Sequence, residues 1–172
     1  SGRLQAAQKA LRILGCRPPT FHEFPDNRLD SVPLLDVIKT LESAVDEFRP
    51  EWVFTHHPSD LNIDHQLVFR AVMTACRPLP GQSVERLYCF EVLSSTEWAT
   101  SLGPVFKPNC FFDITNTYQD KRAALMAYEA EMRPSPHARS FNAVEALAVH
   151  RGHSVGVPMA EAFVLERLVE RI

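Results

Sequence analysis

The sequence lacks several features that would assign a chain to a particular class of protein. No segment reaches about 18 consecutive apolar residues, so we expect no membrane-spanning helix. The first ten residues contain no apolar core of a signal peptide. None of the four cysteines forms a Cys-x-x-Cys pair, which disfavours a cysteine-based zinc site. Unpaired thiols are typical of the reducing cytoplasm, which is therefore the expected location.

Basic residues are not in excess either. The formal net charge is -3, with 18 lysines and arginines against 21 acidic residues. A nucleic-acid-binding domain would carry a basic surface, so we expect no nucleic-acid partner. The remaining composition, 45% hydrophobic and 23% charged over 172 residues, is that of an ordinary globular protein. A chain of this length can bury a sizeable core, and we predict a single domain over residues 1–172.

Helical and strand-like patterns alternate along the chain. Apolar residues recur at helical spacing near the N-terminus, up to Gly15, and again in a stripe over residues 34–48 that Pro50 ends. Further helices are predicted over residues 64–76, 117–132 and 141–150. Strands are predicted at residues 20–24, 52–54, 86–93 and 111–114, and residues 162–169 fit a strand or a helix. This alternation predicts an α/β sandwich with a mostly parallel sheet.

The residues with the clearest chemical potential form one loop. Residues 55–65, THHPSDLNIDH, contain three histidines and two aspartates between a buried strand and a helix. Ligands of open α/β sheets bind at the carboxyl ends of strands, which is where this loop lies. Imidazole and carboxylate are also the groups that bind zinc at neutral pH. His65, in the first turn of the helix, is the best ligand candidate, and Asp64 could orient an imidazole as its partner.

A helix cap accounts for part of the same pattern. Asn62 or Asp64 could accept hydrogen bonds from the backbone N–H groups at the start of the helix. The three histidines also lack the i, i+4 spacing of His-Glu-x-x-His, so the loop does not supply a full ligand set by itself. The residues alone therefore do not decide between a metal site and a helix cap.

Residues 55–65 resemble the second motif of the PIG-L/LmbE-like N-acetylglucosaminyl deacetylases. Other segments resemble further blocks of that family in the same order; they are residues 3–15, 24–30, 50–53, 90–92 with 94–96, 112–114 with Lys121, 137–140 and 151–152. The resemblance covers nearly the whole chain. It implies a Rossmann-like three-layer α/β/α sandwich and a hydrolase that uses zinc, or another divalent metal, to remove the N-acetyl group of an N-acetylglucosamine-type sugar. It also implies that His65 is a zinc ligand.

The resemblance and the position of each residue suggest the rest of the site. Within the motif, we expect His56 and Asp64 to act in catalysis and Asp60 and Asn62 to bind substrate. Outside the motif, four further residues are candidates for substrate binding; they are Glu91, Trp98, His137 and Arg139. Aromatic faces pack on pyranose rings, and a carboxylate can bind a sugar hydroxyl. For Glu91, a surface or helix-capping role is about equally favoured. For His137 and Arg139, a structural role is somewhat favoured over substrate binding.

The first motif of the family, Ala-His-Pro-Asp-Asp at the end of the first strand, does not occur in this sequence. The resemblance implies that this motif supplies two zinc ligands and the general base. Either an N-terminal βαβ portion is missing from the sequence, or the protein is a metal-free relative that binds a carbohydrate or a partner without catalysis. The first explanation is favoured, because the sequence has no initial Met and a sheet without that strand would expose an apolar edge. A homo-oligomer is compatible with either.

Overall fold

Five α-helices and four strands make up the regular structure of the part of the chain that the computed structural model describes, residues 2–99, 101 and 103–170. The helices are α1 (Gly2–Ile13), α2 (Leu34–Phe48), α3 (Ile63–Ala75), α4 (Tyr118–Met126) and α5 (Phe141–His153). The strands are β1 (Trp52–His56), β2 (Arg86–Phe90), β3 (Cys110–Asp113) and β4 (Ala160–Leu168). None of the helices in these ranges is long and apolar enough to cross a membrane.

The four strands form one mixed sheet in the order β1-β2-β4-β3. β1 and β2 pair in parallel, whereas β2 and β4 pair in antiparallel fashion. The α/β class is therefore confirmed, but the prediction of a mostly parallel sheet is wrong. Apolar patterning identifies a buried strand without giving its direction, which only the pairing partner decides. The three-layer arrangement stays a prediction.

The chain divides into two compact units, which are described separately. One unit comprises residues 1–23 and 111–161, and the other comprises residues 24–110 and 162–172. The second unit has a core of buried side chains between β2, α3 and their neighbours; it consists of Val72, Cys76, Val84, Leu87 and Cys89. Leu41 and Val45 of α2 pack against this core, as the predicted apolar stripe requires. Both cysteines of this core, Cys76 and Cys89, are free and buried.

Several local predictions need correction. Residues 20–24 form no strand; Pro18, Pro19 and Pro25 surround this segment, and proline has no N–H to donate to a strand ladder. The predicted helix over residues 117–132 ends at Met126. An aromatic residue in a predicted buried strand is expected in the core, but Trp52 is 41% exposed because β1 lies at one end of the sheet order.

The unit of residues 1–23 and 111–161 depends on a close approach at Gly152 in α5. A Cβ atom at this position would lie 2.7 Å from the backbone of Met159 and from the carbonyl oxygen of Val157. Because backbone cannot move aside as a flexible side chain can, we expect Gly152→Ala to lower the free energy of unfolding by about 1–3 kcal/mol. Chemical denaturation followed by circular dichroism measures this change.

Gly2→Ala is the matched control for this prediction. Within the described part of the chain, nothing lies within 4 Å of a Cβ at Gly2, which is also helical. The control should leave stability unchanged or raise it slightly, since alanine favours a helix over glycine. Equal stabilities of Gly152→Ala and the unchanged protein would contradict the close approach.

Candidate active site

The candidate site lies where two parallel strands end side by side. β1 and β2 pair with His56 opposite Phe90, so the loops that follow them leave from the same edge of the sheet. Residues 57–62 lead from β1 into α3, and residues 91–95 lead from β2 into a single 3-10 turn at Thr96–Trp98. The parallel pairing thus brings together polar residues that are more than 30 positions apart in the sequence.

Asp60 occupies the centre of this edge, and its side chain is 0% exposed. Its Oδ1 accepts hydrogen bonds from the backbone N–H of Asn62 at 2.9 Å and from the Ser95 hydroxyl, and lies 2.9 Å from Nδ1 of His65. Its Oδ2 accepts from the Thr96 hydroxyl at 2.7 Å. Both oxygens are engaged with the protein and neither reaches the surface. In this structure Asp60 therefore binds side chains and backbone of the protein itself, and its predicted role in substrate binding stays a prediction.

These hydrogen bonds keep the Asp60 carboxyl ionised. Burial alone would raise its pKa, because a charge loses its hydration. The hydrogen bonds from His65, Ser95, the Asn62 backbone and Thr96 outweigh burial and hold the pKa of Asp60 well below its usual range. At neutral pH the group is a carboxylate, which can accept hydrogen bonds but cannot donate them.

His65 lies in the first turn of α3 with its Nδ1 against Asp60. Because the carboxylate can only accept, the proton of the neutral ring is on Nδ1 and the lone pair is on Nε2. The side chain is 22% exposed, so this ring is not sealed inside the protein. A carboxylate that holds one nitrogen while the other stays available is the usual arrangement of metal-binding histidines. The role of His65 as a metal ligand stays a prediction, and this arrangement supports it.

His56, at the end of β1, stacks on His65 with ring centroids 3.8 Å apart and planes 8° from parallel. Its ring also meets Phe90 edge-on at 4.8 Å. Burial, and secondarily the neighbouring His65, lower the pKa of His56 from 6.5 to about 4, against the attraction of Asp60. His56 is therefore a neutral imidazole at pH 7. Its predicted role in catalysis stays a prediction, and its place beside His65 supports that role.

His57, the third histidine of the motif, has a structural environment. It is buried, and its Nδ1 accepts a hydrogen bond from the Ser59 backbone N–H at 3.3 Å. Its ring packs edge-on against Phe106 at 5.3 Å. Burial lowers the pKa of His57, so this ring too is held in its neutral form.

The helix cap considered from the sequence is present as well. Asn62 is the N-cap residue of α3, and its side chain accepts from the Asp64 backbone N–H at 2.8 Å. Oδ1 of Asp64 accepts from the Leu29 backbone N–H at 3.0 Å. The residue that contacts Nδ1 of His65 is Asp60 and not its neighbour Asp64, since residues adjacent on a helix do not face each other. The orienting role of Asp64 stays a prediction. The catalytic role of Asp64 and the substrate role of Asn62 stay predictions.

Four further residues were predicted to bind substrate. Glu91 follows β2 directly and is partly buried, and Trp98 is 53% exposed in the 3-10 turn of the same loop. His137 and Arg139 belong to the other unit, in the loop before α5, where Nδ1 of His137 accepts from the Arg139 backbone N–H at 2.9 Å. All four substrate roles stay predictions.

Sequence reasoning missed Ser95 and Thr96 as site residues. Both hydroxyls bind the carboxylate of Asp60, which lies 35 and 36 positions earlier in the chain. A signal was available, since these hydroxyls follow a strand that could pair with β1. Only the parallel register of the two strands shows that their ends meet.

The described residues offer one ligand of a zinc site, but they do not supply a complete set of ligands. His65 offers Nε2, and the buried Nδ1 of the stacked His56 has no hydrogen-bond partner among the described residues. Within the described ranges, no group of three or more His, Cys, Asp and Glu side chains could hold a metal ion. A catalytic zinc takes three protein ligands. His65 would therefore be one ligand, and the described residues do not provide the others.

Sequence comparison identifies relatives over the first part of the chain, which includes the site loop. Residues 1–76 match the family model PIG-L, described as GlcNAc-PI de-N-acetylase. An Escherichia coli K12 protein named as an uncharacterized deacetylase, YaiS, is 35% identical over 83 residues. This match covers 45% of the chain and spans 44% of the length of that relative.

Solved structures extend the similarity of the fold to nearly the whole chain. A conserved protein of Thermus thermophilus is 27% identical, with a TM-score of 0.73 over 99% of this chain and 76% of its own. The N,N'-diacetylchitobiose deacetylase of Pyrococcus horikoshii is 18% identical, with a TM-score of 0.74 over 96% of this chain and 63% of its own. The 4-carboxy-2-hydroxymuconate hydratase GalB of Pseudomonas putida is 21% identical, with a TM-score of 0.71 over 99% and 74%.

The last two similarities show the fold alone, and a hydratase among them means that the fold does not select a reaction. The sequence match is more specific about the reaction than the similarity of fold. It contains residues 55–65, and the family model and the Escherichia coli relative are both named for deacetylation. The resemblance is thereby confirmed: this chain is similar to the PIG-L/LmbE-like deacetylases, by sequence over residues 1–76 and by fold over nearly its whole length.

Proposed function

We propose that this protein is a metal-dependent hydrolase that removes the N-acetyl group from an N-acetylglucosamine-type sugar or glycoconjugate. The observation that carries the proposal is the imidazole of His65, held on Nδ1 by a buried carboxylate within the part of the chain that matches a deacetylase family. Zinc, or another divalent metal, would polarise the acetyl carbonyl and activate water when bound. His65 would be one of the residues that hold it.

The side chains of this chain would support the reaction in three ways. His56 is neutral at pH 7, so it can donate a hydrogen bond to the carbonyl oxygen as negative charge develops there. Asp60 keeps the ring of His65 in one orientation. Asp64, next to His65 in the first turn of α3, would tune the charge of the site.

The substrate would be bound by side chains of the loop that follows β2 and by further polar side chains. The exposed ring of Trp98 offers a face for a pyranose ring, and Glu91 at the end of β2 offers a carboxylate for a hydroxyl. Asn62, His137 and Arg139 are proposed as further polar contacts. The four free cysteines support the cytoplasm as the proposed location.

An acetate-release assay tests this proposal. The full-length protein would be incubated with N-acetylglucosamine, N,N'-diacetylchitobiose and an N-acetylglucosaminyl glycolipid, and both acetate and the new free amine would be measured. We expect equal amounts of the two products, loss of activity after chelation, and recovery with added zinc.

Other results would contradict the proposal. Binding of these sugars without acetate release, before and after addition of zinc, would favour the metal-free binding relative. Hydration of an unsaturated acid without any amide cleavage would favour the reaction named for the Pseudomonas neighbour. If acetate release continued after complete removal of divalent metals, the deacetylase activity would be retained but its metal dependence would be overturned.

A further inference from the structure

The loop after β2 reaches the motif loop through two hydroxyl groups. Ser95 donates to Oδ1 of Asp60, and Thr96 donates to Oδ2 of the same carboxylate at 2.7 Å. The third side chain on this carboxylate is His65, through Nδ1 at 2.9 Å. We propose that Ser95 and Thr96 are positioning residues, which act through Asp60 to fix the ring of His65 with its proton on Nδ1.

The two hydroxyls determine how the carboxylate can rotate. Asp60 is 0% exposed and Ser95 is 7% exposed, so water cannot easily replace a lost donor. With a donor on each oxygen, the carboxylate is held in one plane and Oδ1 faces the imidazole. If both hydroxyls were absent, Asp60 would keep its hydrogen bonds from Asn62 and His65 on Oδ1. Its Oδ2 would lose the hydrogen bond from Thr96, which is the one that the described residues show for this oxygen.

The hydroxyls are delivered by a turn that is itself tightly held. Oγ1 of Thr96 accepts from the Val92 backbone N–H at 2.7 Å while it donates to Asp60. The Glu97 carboxylate accepts from the backbone N–H groups of Ser94 and Ser95. Ser94 has a positive φ of 67°, which a residue with a side chain adopts at a cost. Strained backbone of this kind persists where the surrounding structure determines it.

The consequence for His65 is a single tautomer with Nε2 available. A free imidazole exchanges its proton between the two nitrogens, whereas a fixed carboxylate on Nδ1 leaves the lone pair on Nε2. Partners of this kind typically contribute about 10–100-fold in metal affinity when the ring is a ligand. The inference about metal rests on the proposed function, but the inference about the tautomer does not.

The test compares variants of the full-length protein by two independent measurements. The variants are the double variant Ser95→Ala/Thr96→Val, the conservative variant Thr96→Ser, and the control Thr74→Val. Thr74 is in the same helix as His65, and its hydroxyl donates to the Arg70 carbonyl at 3.0 Å on the exposed side. ¹⁵N NMR of the imidazole nitrogens reports the tautomer of His65, and titration with Zn²⁺ alone reports affinity. Thermal unfolding identifies variants that fail to fold.

We expect the double variant to shift the His65 ring nitrogens towards a mixture of tautomers and to bind Zn²⁺ about 10–100-fold more weakly. Thr96→Ser keeps the hydroxyl and should match the unchanged protein in both measurements, as should Thr74→Val. If the double variant misfolds, the single variants Ser95→Ala and Thr96→Val are to show the same shift to a smaller degree.

An unchanged His65 tautomer in folded variants that lack one or both hydroxyls would overturn the proposal, whatever their activity. A tautomer shift in a protein that neither binds Zn²⁺ nor releases acetate would overturn the proposed function instead and leave the positioning role in place. The two failures are therefore distinguishable.

Discussion

Replacing Asp60 with alanine should lower the free energy of unfolding by about 3–5 kcal/mol. The substitution removes the acceptor of four groups at once, namely the Asn62 N–H, Nδ1 of His65 and the hydroxyls of Ser95 and Thr96. At a site that is 0% exposed, donors left without an acceptor retain most of their desolvation cost. Urea denaturation followed by circular dichroism measures the loss.

Asp46→Ala is the matched control for the Asp60 substitution. Asp46 is an exposed aspartate in the last turn of α2. Its replacement should change the free energy of unfolding by no more than about 0.5 kcal/mol. Asp60→Asn should also be destabilising. The amide keeps one acceptor oxygen, and its NH₂ group, which is a donor, would face the groups that donate to the other oxygen of Asp60. An Asp60→Ala protein within about 1 kcal/mol of the unchanged one would show that the hydrogen-bond network is not as described.

Replacing His65 with alanine should reduce kcat/KM for acetate release by about 1000-fold or more. A catalytic metal supplies several kcal/mol of stabilisation to developing charge, and each ~1.36 kcal/mol corresponds to a factor of ten in rate. Loss of one ligand removes this contribution because the metal is no longer held in place. Steady-state kinetics with the substrate identified in the acetate-release assay measure the effect.

His153→Ala is the control for the kinetic prediction, since His153 is exposed at the end of α5. It should leave both kcat and KM near the values of the unchanged protein. A fall of less than about tenfold for His65→Ala would assign His65 a supporting role and not that of a ligand.

The strand–loop–helix unit around the motif could be predicted from the sequence because its signals are local. The apolar run at β1, the polar motif and the apolar face of α3 follow one another without interruption over residues 52–75. The motif also carried the resemblance that the comparison over residues 1–76 confirms. By contrast, the direction of β4 is decided by its pairing with β2, which no local pattern contains.

The residue that contacts Nδ1 of His65 could not be identified from its distance along the sequence. Asp64 is adjacent to His65 in the chain, but a helix turns about 100° between neighbours and separates their side chains. Asp60 precedes the helix and contacts the ring from the loop. Ser95 and Thr96 required still more information, because their contact with Asp60 depends on the parallel register of β1 and β2.

Elemental analysis of the purified full-length protein is the sharpest test of the proposal that His65 holds a catalytic metal. Zinc would be measured for the unchanged protein and for His65→Ala after identical loading and removal of unbound metal. We expect about one zinc per chain in the unchanged protein and almost none in His65→Ala. Zinc retained at full stoichiometry by a folded His65→Ala protein would show that His65 is not a ligand.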